Sequence, residues 1–308
     1  MDETAPPAAP QRPAPRPAPA TAVPGLHALS LESRDGTPIA VFRTDMAPDR
    51  PTIVLALPFG LRHAAAAGFF AAVAGRYNVV TWESRFVLNF DGPSETETIT
   101  ADLHADDLLA VIDSFDLAPA DVVGYCSGAG IALVAAAREP RRIGRLTLVC
   151  GEFMLPPSAC RQSGFQREVA VVLPAAASSR DDAAMLQEKI ADGAKPATHE
   201  FHDFVALPFS TGEHLYRFGR NYLAYRAVDM LATAATVPHE ALVIATRRDE
   251  QVPLDNAAIV AGCLPGAGEP VVLDGDHYEL CRGNPDITAE LDRFLAASGR
   301  PAPAGRPA

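Results

Sequence analysis

Strand-like apolar runs that alternate with helical runs along most of the chain restrict its fold more than any other feature. Thr52–Leu57 (TIVLAL) is continuously apolar, as a strand buried on both faces requires. Helical spacing follows over Ala64–Ala74, and Asn78–Trp82 (NVVTW) is the next strand. Ile99–Phe115 sets Asp among Leu and Ile at helical spacing. Asp121–Tyr125 is a strand, Ala129–Arg138 a helix and Leu146–Val149 a strand. Later come strand Ala241–Ala245, a helix near Leu254–Ala261, strand Pro270–Leu273 and helix Ile287–Ala297. Ahead of the series, Leu26–Leu31 and Pro38–Arg43 predict a hairpin about Asp35-Gly36. The order predicts an α/β fold with a mainly parallel central sheet.

The rhythm breaks once. Gly151–Val237 holds no strand–helix–strand unit, so residues 151–237 are expected to form an inserted cap of helix and loop. The core would then be residues 25–150 and 238–297. Aromatic residues cluster in the insertion at Phe201, Phe204, Phe209, Tyr216, Phe218, Tyr222 and Tyr225. Two roles are open to them: a core for the cap itself, or the wall of an apolar pocket for an acyl chain or ring.

Residues 1–24 are rich in Pro and Ala and lack side chains that pack, which predicts an extended, disordered tail. Residues 298–308 have the same character and are expected to be flexible. The opening Met1-Asp2-Glu3 has neither the basic start nor the apolar stretch of a secretion signal. Five cysteines, at 126, 150, 160, 263 and 281, form no C-x-x-C pair. Together these predict a cytoplasmic, reducing setting without a disulfide framework or structural zinc.

Charge excludes one class of partner. Lys and Arg total 26 against 38 Asp and Glu, a formal net charge of -12. Nucleic-acid binding runs on phosphate neutralisation, so no such partner is expected. No apolar run approaches the ~20 residues of a membrane helix. No G-x-G-x-x-G or G-x-x-x-x-G-K-[ST] motif occurs, so no nucleotide or flavin cofactor is expected. His199-Glu200-Phe201-His202 lacks the H-E-x-x-H spacing, so no metal is expected either. His27, His63, His104, His199, His202, His214 and His239 are read as structural or exposed. Arg85, Arg247 and Arg248 fall in loops near the expected mouth of the sheet. They either recognise a carboxylate or phosphate or are simply solvated.

The sharpest local signal is Gly124-Tyr125-Cys126-Ser127-Gly128, between a predicted strand and a predicted helix. It has the G-x-nucleophile-x-G form of a tight strand-to-helix turn. Side chains two positions either side of the central residue would collide with neighbouring backbone, hence the glycines. The helix N-terminus would face the nucleophile and favour negative charge there. The glycines bracket Cys126 symmetrically; Ser127 is the competing register.

This motif resembles the nucleophile elbow of the α/β-hydrolase fold family, and the resemblance spans roughly Leu26–Leu295. The family orders its triad as nucleophile, acid, histidine. Here the strand ALVIA runs into Thr246-Arg247-Arg248-Asp249-Glu250-Gln251-Val252-Pro253. That loop is similar to the family's G-x-x-D-x-x-V-P, with Thr246 in place of Gly. Asp249 is the implied acid, with Glu250 and Asp255 as alternatives. PVVL is followed by Asp274-Gly275-Asp276-His277, which makes His277 the implied base. The family's oxyanion loop usually reads His-Gly-x, whereas this chain has Leu57-Pro58-Phe59-Gly60. The resemblance implies the backbone N–H groups of Phe59 and Ser127 as oxyanion donors. Pro58 departs from the pattern, since it has no N–H. Cys in place of the usual Ser occurs in polyhydroxyalkanoate synthases and dienelactone hydrolases, and the similarity to either is confined to the elbow and triad.

A Cys126–His277–Asp249 triad implies nucleophilic catalysis through an acyl-enzyme. The expected function is a thioesterase or acyltransferase acting on a small-molecule thioester or ester, free or carrier-bound, in specialised metabolite biosynthesis. Two other classes compete. One is a lyase on the same fold that eliminates acetate from an acetylated tetronate polyketide intermediate, with the triad supplying a base. The other is a non-catalytic binding protein, which has no need of an ordered nucleophile, acid and base.

Overall fold

In the computed structural model, residues 23, 25–88, 99–193 and 199–297 are described below. The chain opens with the predicted hairpin, β1 (His27–Glu32) and β2 (Pro38–Arg43). There follow β3 (Thr52–Ala56), α1 (Ala67–Val73), β4 (Asn78–Trp82), α2 (Ala101–Ser114), β5 (Ala120–Tyr125), α3 (Ser127–Arg138) and β6 (Ile143–Val149). Five helices come next: α4 (Gly164–Ala176), α5 (Arg180–Asp192), α6 (His202–Ala206), α7 (Gly212–Arg226) and α8 (Met230–Thr236). Then come β7 (Ala241–Thr246), α9 (Leu254–Cys263), β8 (Val271–Leu273), α10 (Glu279–Arg282) and α11 (Pro285–Ala296).

The strands form one eight-stranded sheet in the order β1-β2-β4-β3-β5-β6-β7-β8. Pairing is antiparallel where β2 meets β1 and β4, and parallel across the rest. Each strand's two-residue period sorts its side chains between two apolar layers. Val54, Ala56, Val122, Leu146, Leu148, Val243 and Ala245 face one layer, which α2, α3, α8 and α9 cover. Ile53, Leu55, Val123, Tyr125, Val149 and Ile244 face the other, covered by α1 and α11. Burial on both faces is why these strands read as unbroken apolar runs.

Most expected elements are present within a few residues. The helix expected over Ala64–Ala74 is divided into a single turn of 3-10 helix at His63–Ala66 and then α1. The tail reading needs one correction. Val23 lies inside the segment expected to be disordered, yet it is only 8% exposed and packs in the second apolar layer. Residues 1–22, 24 and 298–308 lie outside the described residues.

Arg85 is also corrected. Its guanidinium donates to Asp107 through Nε (2.8 Å) and Nη2, and to Asp35 through Nη1 (2.5 Å). The side chains of Arg85 and Asp107 are 1% and 0% exposed, so this arginine is a buried structural ion and offers nothing to a ligand. Removing one partner of such a pair leaves a buried, uncompensated charge. Arg85→Ala should therefore cost about 3–5 kcal/mol of folding stability, read by denaturant unfolding. A midpoint equal to wild type would contradict this assignment.

Candidate active site

The elbow residues sit where β5 gives way to α3. Cys126 has φ 51° and ψ −124°, a conformation L residues rarely adopt. Its N–H donates to the Val149 carbonyl (3.1 Å), which anchors the turn to β6. The bracketing glycines are explained by contact. A Cβ on Gly124 would lie 2.6 Å from the Ala129 Cα, and one on Gly128 would lie 2.1 Å from the Ala56 carbonyl oxygen. Both obstacles are backbone and cannot move aside. Gly128→Ala should lose about 3 kcal/mol or more of stability, because β3 and α3 must separate to admit the methyl. Thermal and urea unfolding of that variant measure the loss.

His277 and Asp249 arrive from the ends of β8 and β7. His277 Nδ1 lies 2.7 Å from Asp249 Oδ2, and both side chains are less than 5% exposed. The other Asp249 oxygen accepts the N–H groups of Gln251 and Val252, each at 2.8 Å, which fixes the carboxylate's plane. Neither Glu250 nor Asp255 takes that place. Thr246, where the family pattern has Gly, has a use here. Its hydroxyl donates to the Asp276 carbonyl (2.9 Å) and ties the acid-bearing strand to the histidine-bearing turn. The Tyr125 hydroxyl holds the same turn through the His277 carbonyl (2.9 Å).

Burial by itself would lower the His277 pKa. The Asp249 carboxylate and the Cys126 side chain outweigh it and hold the imidazole well above its ordinary value. Behind the pair sits Cys150, whose sulfur, with an Asp249 oxygen and a His277 nitrogen, falls in a group within 4.8 Å of one another. These are metal-ligand types. However, Nδ1 is engaged by Asp249, and burial pushes the Cys150 thiol far up, leaving a neutral, poor ligand. A metal would have to displace the existing pairing.

Cys126, Ser127, Phe59, Asp249 and His277 all line one cavity of about 1370 Å³. Its opposite wall comes from the inserted helices: Leu173 on α4, and Phe218 and Tyr222 on α7. Of the seven aromatics expected in the cap, Phe209, Phe218 and Tyr222 line the cavity. Tyr225 does not. It is fully buried under α3 and its hydroxyl donates to the Glu152 carbonyl (2.6 Å). Phe201 stacks on Tyr278 instead (5.2 Å between centroids). Arg248 lines the cavity, whereas Arg247 is 61% exposed and reaches Asp274 at 3.4 Å.

The sequence reading passed over Glu152. It lines the cavity just past β6, accepting Met154 N–H and Gln166 Nε2–H, both at 2.7 Å. Burial raises its pKa. Its place directly after a parallel strand, at the sheet's carboxyl end, was the available signal. His199 and His202, read as structural or exposed, line the cavity as well.

The fold and this site together define the class. A family model of the alpha/beta hydrolase fold matches residues 61–278, and the chain belongs to that family as a hydrolase-fold enzyme. Among curated proteins it is similar to the 2-hydroxymuconate semialdehyde hydrolase of Pseudomonas sp. (strain CF600). They are 28% identical over 204 residues, 63% of this chain and 68% of that one. Among solved structures it is similar to the enol-lactonase of Burkholderia xenovorans LB400 (20% identity, TM-score 0.64). The match covers 87% of this chain and 100% of that chain. It is also similar to the esterase RhEst1 of Rhodococcus sp. ECU1013 (17% identity, TM-score 0.67), over 88% and 99% of the two chains. No helix among the described residues is long and apolar enough to cross a membrane.

Proposed function

We propose that this enzyme forms an acyl-enzyme on Cys126 and acts on a small-molecule thioester or ester. The observation that carries the reading is the placement of Cys126 on a strained turn at the cavity floor, beside a desolvated His277–Asp249 pair. During attack the Cys126 proton passes to His277, and the Asp249 carboxylate favours the imidazolium that results. The Cys126 sulfur attacks the acyl carbon and the carbonyl π pair moves onto oxygen. Collapse of the tetrahedral intermediate expels the thiolate or alkoxide, which takes the His277 proton. Water or a second nucleophile, deprotonated by His277, then releases the acyl group.

A thiolate suits thioester substrates, since exchange of one thiol for another is close to thermoneutral. The volume of the cavity and its Leu173, Phe209, Phe218 and Tyr222 wall support a medium-length acyl chain or a ring as the group bound. The relatives' names point to hydrolysis of small molecules, an enol-lactone among them. A role in specialised metabolism, with the substrate free or on a carrier, extends this reading.

The test is acylation. Wild-type protein mixed with para-nitrophenyl hexanoate or hexanoyl-coenzyme A should gain one hexanoyl group by intact mass, and peptide mapping should place it on Cys126. A hexanoyl group on Ser127 instead would move the nucleophile one residue. Steady turnover without any adduct under rapid quench would reject covalent catalysis.

A further inference from the structure

In the loop after β3, residues 58–61 commit every N–H they have. Pro58 has none. Gly60 donates to the Ser84 hydroxyl (3.0 Å) and Leu61 to the Pro58 carbonyl (3.1 Å). Phe59, the expected oxyanion donor, gives its N–H to the Ser127 hydroxyl (3.3 Å). Ser127 is only 4% exposed, and both residues line the cavity. A hydroxyl has one proton to donate besides the lone pairs that accept. Among the described residues no protein acceptor takes the Ser127 proton. A buried hydroxyl is thus left with its donor unspent, next to the residue that attacks.

We infer that the Ser127 side chain is itself an oxyanion donor. The hole would comprise the Ser127 N–H and the Ser127 O–H, with Phe59 behind them. The Phe59 N–H polarises the hydroxyl by donating to its oxygen, which strengthens the bond the hydroxyl gives. This inference rests on Cys126 as the nucleophile. As the Cys126 sulfur bonds to the acyl carbon, the π pair becomes an oxyanion one residue from Ser127. The O–H then donates to that oxygen and releases it when the carbonyl re-forms. No proton is transferred from Ser127 at any stage.

The experiment compares wild type, Ser127→Ala and Cys126→Ala on para-nitrophenyl hexanoate and on its thionoester, in which sulfur replaces the carbonyl oxygen. Removing a hole donor typically costs about 10²–10³ in rate, so Ser127→Ala should acylate about 10²-fold more slowly with KM little changed. Sulfur is the weaker acceptor, so wild type should favour the oxygen ester strongly. That preference should shrink about tenfold in Ser127→Ala, which a merely structural role would not produce. Melting temperature checks that the variant is folded. Acylation of Ser127→Ala as fast as wild type, or an unchanged oxygen-to-sulfur ratio, overturns the inference; Phe59, freed by the mutation, would then be the donor. Absence of any adduct on Cys126 in wild type removes the nucleophile itself and overturns the reading beneath it.

Discussion

Cys126→Ala is expected to abolish turnover, by a factor on the order of 10⁵–10⁶ at saturating substrate. The methyl has no atom able to hold an acyl group, and residues that act as one unit lose nearly everything when one is removed. His277→Ala should be almost as damaging for the same reason. Cys126→Ser keeps a nucleophile on the same strained turn, but a hydroxyl must surrender its proton during attack, so partial activity at best is expected. Stopped-flow acylation and steady-state rates measure all three. The pattern also separates the competing chemistry. In an elimination of acetate His277 would abstract a carbon-bound proton while Cys126 only positioned it. Cys126→Ala would then retain substantial turnover and His277→Ala would not. Full turnover by Cys126→Ala on the true substrate would end the covalent reading.

Asp249→Asn should lower kcat by about 10⁴, the scale seen when an orienting carboxylate in a triad is replaced by its amide. The Asp249 oxygens do two jobs. One accepts from Gln251 and Val252, which Asn can still do through its carbonyl. The other engages His277 Nδ1, and an amide nitrogen placed there reverses the tautomer. The pH dependence follows from the same carboxylate. In wild type it outweighs the lowering effect of burial and raises His277. With Asn only the thiol opposes burial, so the His277 pKa should fall. If the active form is the thiolate–imidazolium pair, the upper limit of the pH–rate profile should move to lower pH. Stability should respond too. A histidine raised in the folded state adds stability fully present below its unfolded value of about 6.5 and lost as pH rises through the folded value. That contribution should largely vanish in Asp249→Asn. Imidazole NMR titration and urea midpoints across pH measure both effects. A variant with the wild-type His277 titration would remove Asp249 as the cause.

Much of this protein was written in one dimension. Strands buried on both faces must be apolar at every position, so TIVLAL and NVVTW stood out without a structure, and their alternation with helices pointed to a mainly parallel sheet, whose strand order only the structure gives. Gly124 and Gly128 were legible because a backbone only 2.6 Å and 2.1 Å from where their Cβ atoms would sit leaves no room for a side chain. The loops after β7 and β8 were legible by order along the chain, which is enough to nominate Asp249 and His277 but does not choose between neighbouring acids. Tertiary structure made that choice, because only one of three nearby carboxylates, Asp249, can reach Nδ1 from a turn whose own N–H groups hold its other oxygen.

The remainder depended on contacts between segments far apart in sequence. Arg85 looked like a loop cation and is a buried ion, because Asp107 lies across from it on a helix. Tyr225 and Phe218 share one helix and, two turns apart, nearly the same face, yet one is spent on the core and the other lines the cavity, because the roughly 10 Å between them along the axis sets them against different neighbours. Ser127 shows the limit most clearly. Its position beside the nucleophile was evident from the motif, but the direction of its hydroxyl depended on Phe59, 68 residues earlier, arriving with its N–H aimed at that oxygen. Sequence by itself determined the sheet, the elbow and the order of the candidate triad, because those follow from local sterics and period. Tertiary structure alone decided which polar groups were already satisfied and which were left to meet a substrate, because hydrogen bonding in a buried site is settled by three-dimensional neighbours.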